Sequence, residues 1–216
     1  KEKKDRFLPE GAVTYRIYVD MLPGYRLQVV YGDPDNTMSF RTSTYFYNDT
    51  LWDIKAASEL QKVLINQRAL SYDSWITMGA ASAVHRGVLR DEDPDGSILI
   101  GESMAESDGY VEGKKDWLIL NGEIDLTGFG TDTTMSEFST NNGAWAVLKG
   151  VQGPTPENKV LIAQLTTNGD FSFQINLQIL APGCTGGENY VNTHPVNNEI
   201  FFDGLRWSST ENLARH

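Results

Sequence analysis

From Phe171 to Leu180 the chain reads FSFQINLQIL, an unbroken alternation of apolar and polar residues. Successive side chains of a strand point to opposite sides. Phe171, Phe173, Ile175, Leu177 and Ile179 therefore share one face, and Ser172, Gln174, Asn176 and Gln178 share the other. Upstream, Lys159 to Thr166 is a short apolar run, and Asn168-Gly169 is a turn dipeptide. The spacing predicts a β-hairpin over 159–180, with one face of the return strand in a core and the other wet. The wet face carries amides and a hydroxyl but no charge. It could rest against another chain or a glycan without burying an ion, although most uncharged strand faces are simply solvated.

The rest of the sequence repeats this chemistry. Thr14 to Met21 alternates, Leu22-Pro23-Gly24 is a turn, and Tyr25 to Tyr31 alternates again, which predicts a second hairpin. Met38 to Tyr47, rich in Thr and aromatics, reads as a third strand. Leu51, Ile54, Ala57, Leu60 and Leu64 recur at three and four, predicting one short helix over Lys55 to Gln67. Trp75 to Met78, Ala83 to Arg90, Trp117 to Leu120, Ala144 to Leu148 and Glu199 to Phe202 read as further strands, and Asn121-Gly122 as a turn. Gly128 to Asn142 reads as a long loop with brief strand content. The fold class expected is all-β: an antiparallel, jelly-roll-like β-sandwich with one short helix and long loops. We divide the chain into an arm (1–12), one sandwich domain (13–205) and a tail (206–216), a size that buries a sizeable core.

Eighteen Lys and Arg against 29 Asp and Glu give a net charge of -11. That balance repels phosphate backbones and anionic membranes, so nucleic acid is not an expected partner. It favours divalent cations instead, calcium above all. Cys184 is the single cysteine, so the fold relies on no internal disulfide. No stretch of about 18 apolar residues is present, so membrane insertion is not expected. The opening KEKKDRFLPEG is charged and turn-like, as a processed or trimmed end would be.

The sharpest chemical motif is DEDPDGSILIGE, 91–102. Asp91, Asp93 and Asp95 stand at the first, third and fifth positions of a calcium loop. Gly96 is at the bend, Ser97 follows it, Ile98 is the apolar eighth residue, and Glu102 is the twelfth. Alternate carboxylates on a curled backbone converge on a point, and a hard cation relieves their repulsion. Asp91, Asp93, Asp95, Ser97 and Glu102 are therefore the candidate Ca2+ ligands. The flanks read as strand rather than helix and Pro94 interrupts the loop, so an acidic turn without metal is the competing reading. Asp33, Asp35 and Asn36 form a weaker cluster that reads as a self-capping turn, and Asp132 is weaker still.

Catalytic signatures for an elbow serine, a zinc pair or a phosphate loop are missing from the sequence. His85, His194 and His216 have no partner the sequence specifies, and a Cys184–His194 pair lacks any supporting local motif. Trp75, Trp117 and Trp145 lie in strand-like runs and are expected in the core. Trp52, Trp207 and Tyr45 to Tyr47 are the candidates for exposed, sugar-stacking rings.

Several segments together, TYRIYVDM with its following YGD, YDSWITMGA, NNGAWAVL and KVLIAQLTTNG with NLQ, resemble a β-rich module of secreted and surface proteins of Bacteroidota. Such chains are often exported by the type IX system. The resemblance covers most of Thr14 to Leu180. It implies an extracellular β-sandwich with a non-catalytic role, and it transfers no site residues. The chain departs from the module in lacking a C-terminal sorting domain and in carrying the loop 91–102.

The function expected is thus a secreted, non-enzymatic structural or adhesive protein of the cell surface. Its partners would be copies of itself or other surface proteins, met through strand edges. The alternative is a calcium-assisted carbohydrate-binding module presenting coplanar exposed aromatic rings to a glycan.

Overall fold

A computed structural model describes residues 8–50, 52–56, 72–78, 119–130, 132–153 and 156–212. Its strands form three sheets. In the smallest, β8 (Lys159–Thr167) lies between β1 (Val13–Asp20) and β4 (Trp75–Ile76). β8 is buried from Val160 to Thr167 on both faces, which is why its sequence is a continuous apolar run rather than an alternation.

The largest sheet contains six strands. Their order is β12 (Ile200–Phe201), β11 (Glu188–Val191), β10 (Asn176–Leu180), β2 (Arg26–Gly32), β7 (Gly143–Val151) and β5 (Ile119–Gly122). All its pairs are antiparallel except β11 with β12, which is parallel. A four-stranded sheet runs β13 (Arg206–Ser208), β9 (Phe171–Gln174), β3 (Met38–Thr42), β6 (Glu137–Thr140). The sheet thus continues past residue 205, and one helical turn, α1 (Ser209–Asn212), follows it. The chain is all-β and sandwich-like.

Aromatic rings fill the space between the sheets. Phe40 and Phe138 from the four-stranded sheet meet Trp145 from β7 at centroid distances of 6.2 and 6.3 Å. Tyr15 of β1 packs on Phe171 at 4.8 Å. Trp75, Trp145, Phe40, Phe46, Phe129 and Phe171 are almost wholly buried. Burying each such side chain is worth about 1.5–3 kcal/mol. Trp75 and Trp145 are core residues as expected, whereas Trp117 lies outside the described residues. Trp145 also donates Nε1–H to the Thr77 carbonyl at 3.0 Å, so its polar atom is satisfied inside the core.

Both predicted hairpins are corrected. β8 and β9 do not pair with each other: β8 joins β1 and β4, and β9 joins β3 and β13. A two-residue type I′ turn needs positive φ at both central residues, and neither Asn168 nor Gly169 has it. The chain instead crosses between sheets here, with Ser43 N–H donating to the Asp170 carbonyl and Asp170 N–H to Ser43 Oγ. Likewise β1 and β2 part company after the Leu22-Pro23-Gly24 turn. The turn itself forms as expected, with Tyr25 N–H bonded to the Leu22 carbonyl and φ of +86° at Gly24. It is then captured from the side, because Asn158 Nδ2 donates to the carbonyls of Leu22 (2.8 Å) and Tyr25 (3.0 Å).

Other boundaries move too. The third strand ends at Thr42 rather than Tyr47, because Phe46 and Tyr47 give their N–H groups to Met135 and Thr166 instead of continuing one ladder. The expected loop 128–142 contains β6, and Phe129 and Phe138 anchor it in the core with rings 5.1 Å apart. Asn121-Gly122 is the end of β5 rather than a free turn. Of the expected helix, Lys55 and Ala56 are described, and Ala56 forms a parallel bridge with Ile76. The remaining helix residues and the strand 83–90 lie outside the described residues.

Candidate functional site

The candidate calcium ligands Asp91, Asp93, Asp95, Ser97 and Glu102 lie outside the described residues. Among those described, no group of three or more His, Cys, Asp or Glu side chains gathers to hold a metal. The cluster at Asp33 is the self-capping turn expected: Asp33 Oδ1 accepts the N–H groups of Asp35 (2.9 Å) and Asn36 (2.7 Å). Asp132 does the same with Thr134, whose hydroxyl and N–H bonds hold its carboxyl below the usual range.

The uncharged face of the 171–180 segment is not uniformly wet. The alternation breaks at Ile175, and Asn176 is fully buried. Its Nδ2 donates to the carbonyls of Tyr31 (3.0 Å) and Asn36 (2.6 Å), and its Oδ1 accepts from the Asn192 backbone and side chain. Asn36 in turn receives the Thr193 hydroxyl and the His194 N–H on Oδ1 and donates to the His194 carbonyl. A buried polar group costs stability unless it is paired. This amide network pins loop 192–194 to the turn at 33–36, so Asn176 holds the protein's own backbone rather than a ligand.

Gln174 and Gln178 are committed as well, to the Thr37 carbonyl and to Asn189 Oδ1. His194 is exposed and enters the network through its backbone alone. Cys184 sits in an exposed turn closed by its own N–H to the Ala181 carbonyl.

One further buried group stands apart. Asp73 is inaccessible to solvent, and its Oδ1 accepts the backbone N–H groups of Asp49 (2.8 Å) and Ser74 (3.1 Å). Its Oδ2 is buried and has no hydrogen-bond partner among the described residues. Burial first, and then the nearby Asp49 charge, push its carboxyl up to about 9, against the opposing pull of the two backbone donors. The side chain is protonated at neutral pH.

The feature that faces outward is β12. Ile200 and Phe201, on the terminal strand of the six-stranded sheet, and Phe202, the next residue, are 42, 47 and 56% exposed. Phe202 N–H donates to the Val191 carbonyl. N–H and C=O groups of alternate strand residues point to alternate sides, so those of Phe201 point away from β11. At the other end of this sheet, Leu120 on β5 is 48% exposed. Phe201 and Phe202, as neighbours in an extended chain, project to opposite faces and make no shared aromatic platform. Trp52, Tyr45 and Trp207 are only half-buried, and Trp207 stacks on Phe173 at 6.2 Å and 21°.

The patch at 200–202 is a site the alternation argument passes over. Three successive apolar residues cannot all face one core from a strand, and that was the available signal.

These observations define an all-β, sandwich-like protein with a buried amide network and an apolar sheet edge. No family model, curated protein or solved structure matches the chain.

Proposed function

We propose that this chain is a non-catalytic structural or adhesive subunit of a bacterial cell surface, exported from the cell, that assembles with copies of itself through the edges of its six-stranded sheet. The observation that carries this reading is the exposed apolar run formed by Ile200 and Phe201 of the terminal strand β12 and Phe202 directly after it. Edge strands present unpaired backbone groups and are ordinarily blunted by charge, proline or a covering loop. An apolar edge is a docking strip.

Strand directions favour a head-to-tail arrangement. Four antiparallel steps separate β5 from β11, and the step from β11 to β12 is parallel. Hence β5 and β12, the edges of this sheet among the described residues, run the same way. A copy displaced along the sheet places its β5 beside β12. Heterologous contacts that do not close a ring give filaments.

The test is light scattering with negative-stain imaging of the wild-type chain, Phe201→Lys, Leu120→Lys and a mixture of the two variants. Head-to-tail assembly predicts long wild-type oligomers, monomers for each variant alone, and dimers for the mixture, in which one intact β12 meets one intact β5. Two-fold assembly predicts instead that Leu120→Lys leaves association intact. A wild-type chain that stays monomeric at high concentration, with calcium or after chelation, overturns the assembly reading.

A further inference from the structure

Three Asn-Gly pairs occur in the chain, at 121–122, 142–143 and 168–169. Such pairs are prone to succinimide formation, because glycine leaves the following backbone nitrogen unhindered for attack on the asparagine side chain. The fold treats the three differently. Gly122 and Gly143 are ladder residues, paired with each other, and Gly143 also pairs with Gly32. Both are held by ladder pairing, Gly122 with a φ of +72° at the end of its strand.

Asn168-Gly169 lies instead in the crossover from β8 to β9, with Asn168 exposed. Here hydroxyls surround the pair: a Cβ built on Gly169 would lie 2.6–2.7 Å from the side-chain oxygens of Thr42, Ser43 and Thr44. The hydrogen bonds form a chain. Gly169 N–H donates to Thr167 Oγ1 at 3.0 Å, Thr167 Oγ1 lies 3.0 Å from Thr44 Oγ1, and Thr44 Oγ1–H donates to Asn168 Oδ1 at 2.9 Å. Thr42 Oγ1 lies 2.7 Å from Thr167 Oγ1, and when Thr42 is the donor of that pair the Thr167 proton points at Thr44.

The nucleophile's proton and the oxygen that must receive it are thus joined by two hydroxyls. We propose that Asn168-Gly169 is a self-modifying succinimide site, activated by proton relay through Thr167 and Thr44. In the first step the Gly169 nitrogen bonds to Asn168 Cγ. Its proton passes to Thr167 Oγ1, the Thr167 proton to Thr44 Oγ1 and the Thr44 proton to Asn168 Oδ1, so the carbonyl becomes a neutral tetrahedral carbinol. The Cγ–Nδ2 bond then breaks, the carbinol proton goes to the departing nitrogen, and ammonia leaves as the Cγ carbonyl reforms in a five-membered ring. Water opens the ring at either carbonyl and leaves aspartate or isoaspartate. No oxidant or reductant enters. Positioned proton transfer of this kind accelerates a step by about a hundredfold or more in enzyme sites, and the product places a carboxylate beside Asp170 at the point where the chain changes sheets.

The experiment incubates the purified full chain at neutral pH and follows isoaspartate by methyltransferase labelling and peptide mapping at all three pairs. The folded wild type is expected to convert at 168 well ahead of 121 and 142, and to lose that preference in urea, where the three pairs react alike. Thr44→Val, at an exposed position, removes the donor to Oδ1 and is expected to slow conversion at 168 by about a hundredfold, while Thr44→Ser restores it. Conversion at 168 no faster than at 142, an unchanged preference in urea, or a Thr44→Val chain that reacts at the wild-type rate overturns the proposal.

Discussion

Replacing Asp73 by asparagine tests the energetics of the core most directly. The Asp73 carboxyl is raised from 3.8 to about 9 because it is buried beside Asp49 with only one oxygen hydrogen-bonded. In the folded chain it stays protonated through neutral pH, whereas in the unfolded chain it ionises at its ordinary value. The stability it permits is therefore fully present below about pH 4, declines as the pH rises, and is lost by about pH 9. The span is about five pH units at about 1.4 kcal/mol each, or roughly 7 kcal/mol in all, of which roughly 4 kcal/mol has gone by pH 7.

An asparagine at this position carries no such slope. Its side-chain oxygen accepts the same two backbone N–H groups, but its amide nitrogen brings two buried N–H donors where the protonated Oδ2 has one O–H, and the additional orphan donor costs about 1–3 kcal/mol. The two effects oppose each other. Asp73→Asn is destabilising in acid and stabilising at neutral and higher pH, with the curves crossing between about pH 4.5 and pH 6. Urea denaturation of both proteins from about pH 4 to pH 9 gives the difference directly, since other titrating groups largely cancel in it. A difference that is flat with pH, or that favours the wild type increasingly as pH rises, would refute the reasoning.

Three other substitutions probe the positions that organise the fold. Trp145→Phe leaves the Thr77 carbonyl without its donor and opens a void between sheets, and denaturant titration should show a loss of about 2–4 kcal/mol. Asn176→Ala orphans the carbonyls of Tyr31 and Asn36 and frees the 192–194 loop. It should cost about 2–4 kcal/mol, with amide exchange accelerated first at 192–194. At Asn158, where φ is +56° and the side chain bonds Gly153, Leu22 and Tyr25, thermal melts should rank Asn above Gly and Gly above Ala. Both variants lose the bonds, but alanine also strains the backbone by about 1–2 kcal/mol.

How much of this was legible in the sequence differs by level. Strand existence was, because alternation at 14–21 and 25–31 and the apolar run at 159–166 report burial that any all-β packing demands. Strand partners were not. Asn168-Gly169 and Leu22-Pro23-Gly24 carry turn chemistry, yet turn residues specify a reversal of direction and not which sheet the returning strand enters. That choice rests on long-range bonds such as Asn158 to Leu22 and Ser43 to Asp170, which no local pattern encodes. The buried carboxyl at Asp73 was equally hidden, since a lone Asp before a strand reads as an ordinary boundary residue. Asn176 shows the cost of trusting periodicity across a break: its place in the alternation assigned it to solvent, and a single irregular residue, Ile175, separates the two strands that bury it.

The charge-free face of 171–180 first suggested a surface waiting for a partner, but Gln174, Asn176 and Gln178 are already bonded to the protein itself. The outer side of β12 stays unpaired among the described residues, and there apolar side chains and the Phe201 backbone face outward together. A chain with a net charge of -11 repels its copies at long range, so contact at this edge must be short-ranged and apolar, and it strengthens with salt as screening shortens to about 10 Å at 0.1 M. An assembly driven by ion pairs would weaken under the same change. The sign of the salt dependence therefore separates an apolar sheet edge from a charged contact without any knowledge of the partner's identity.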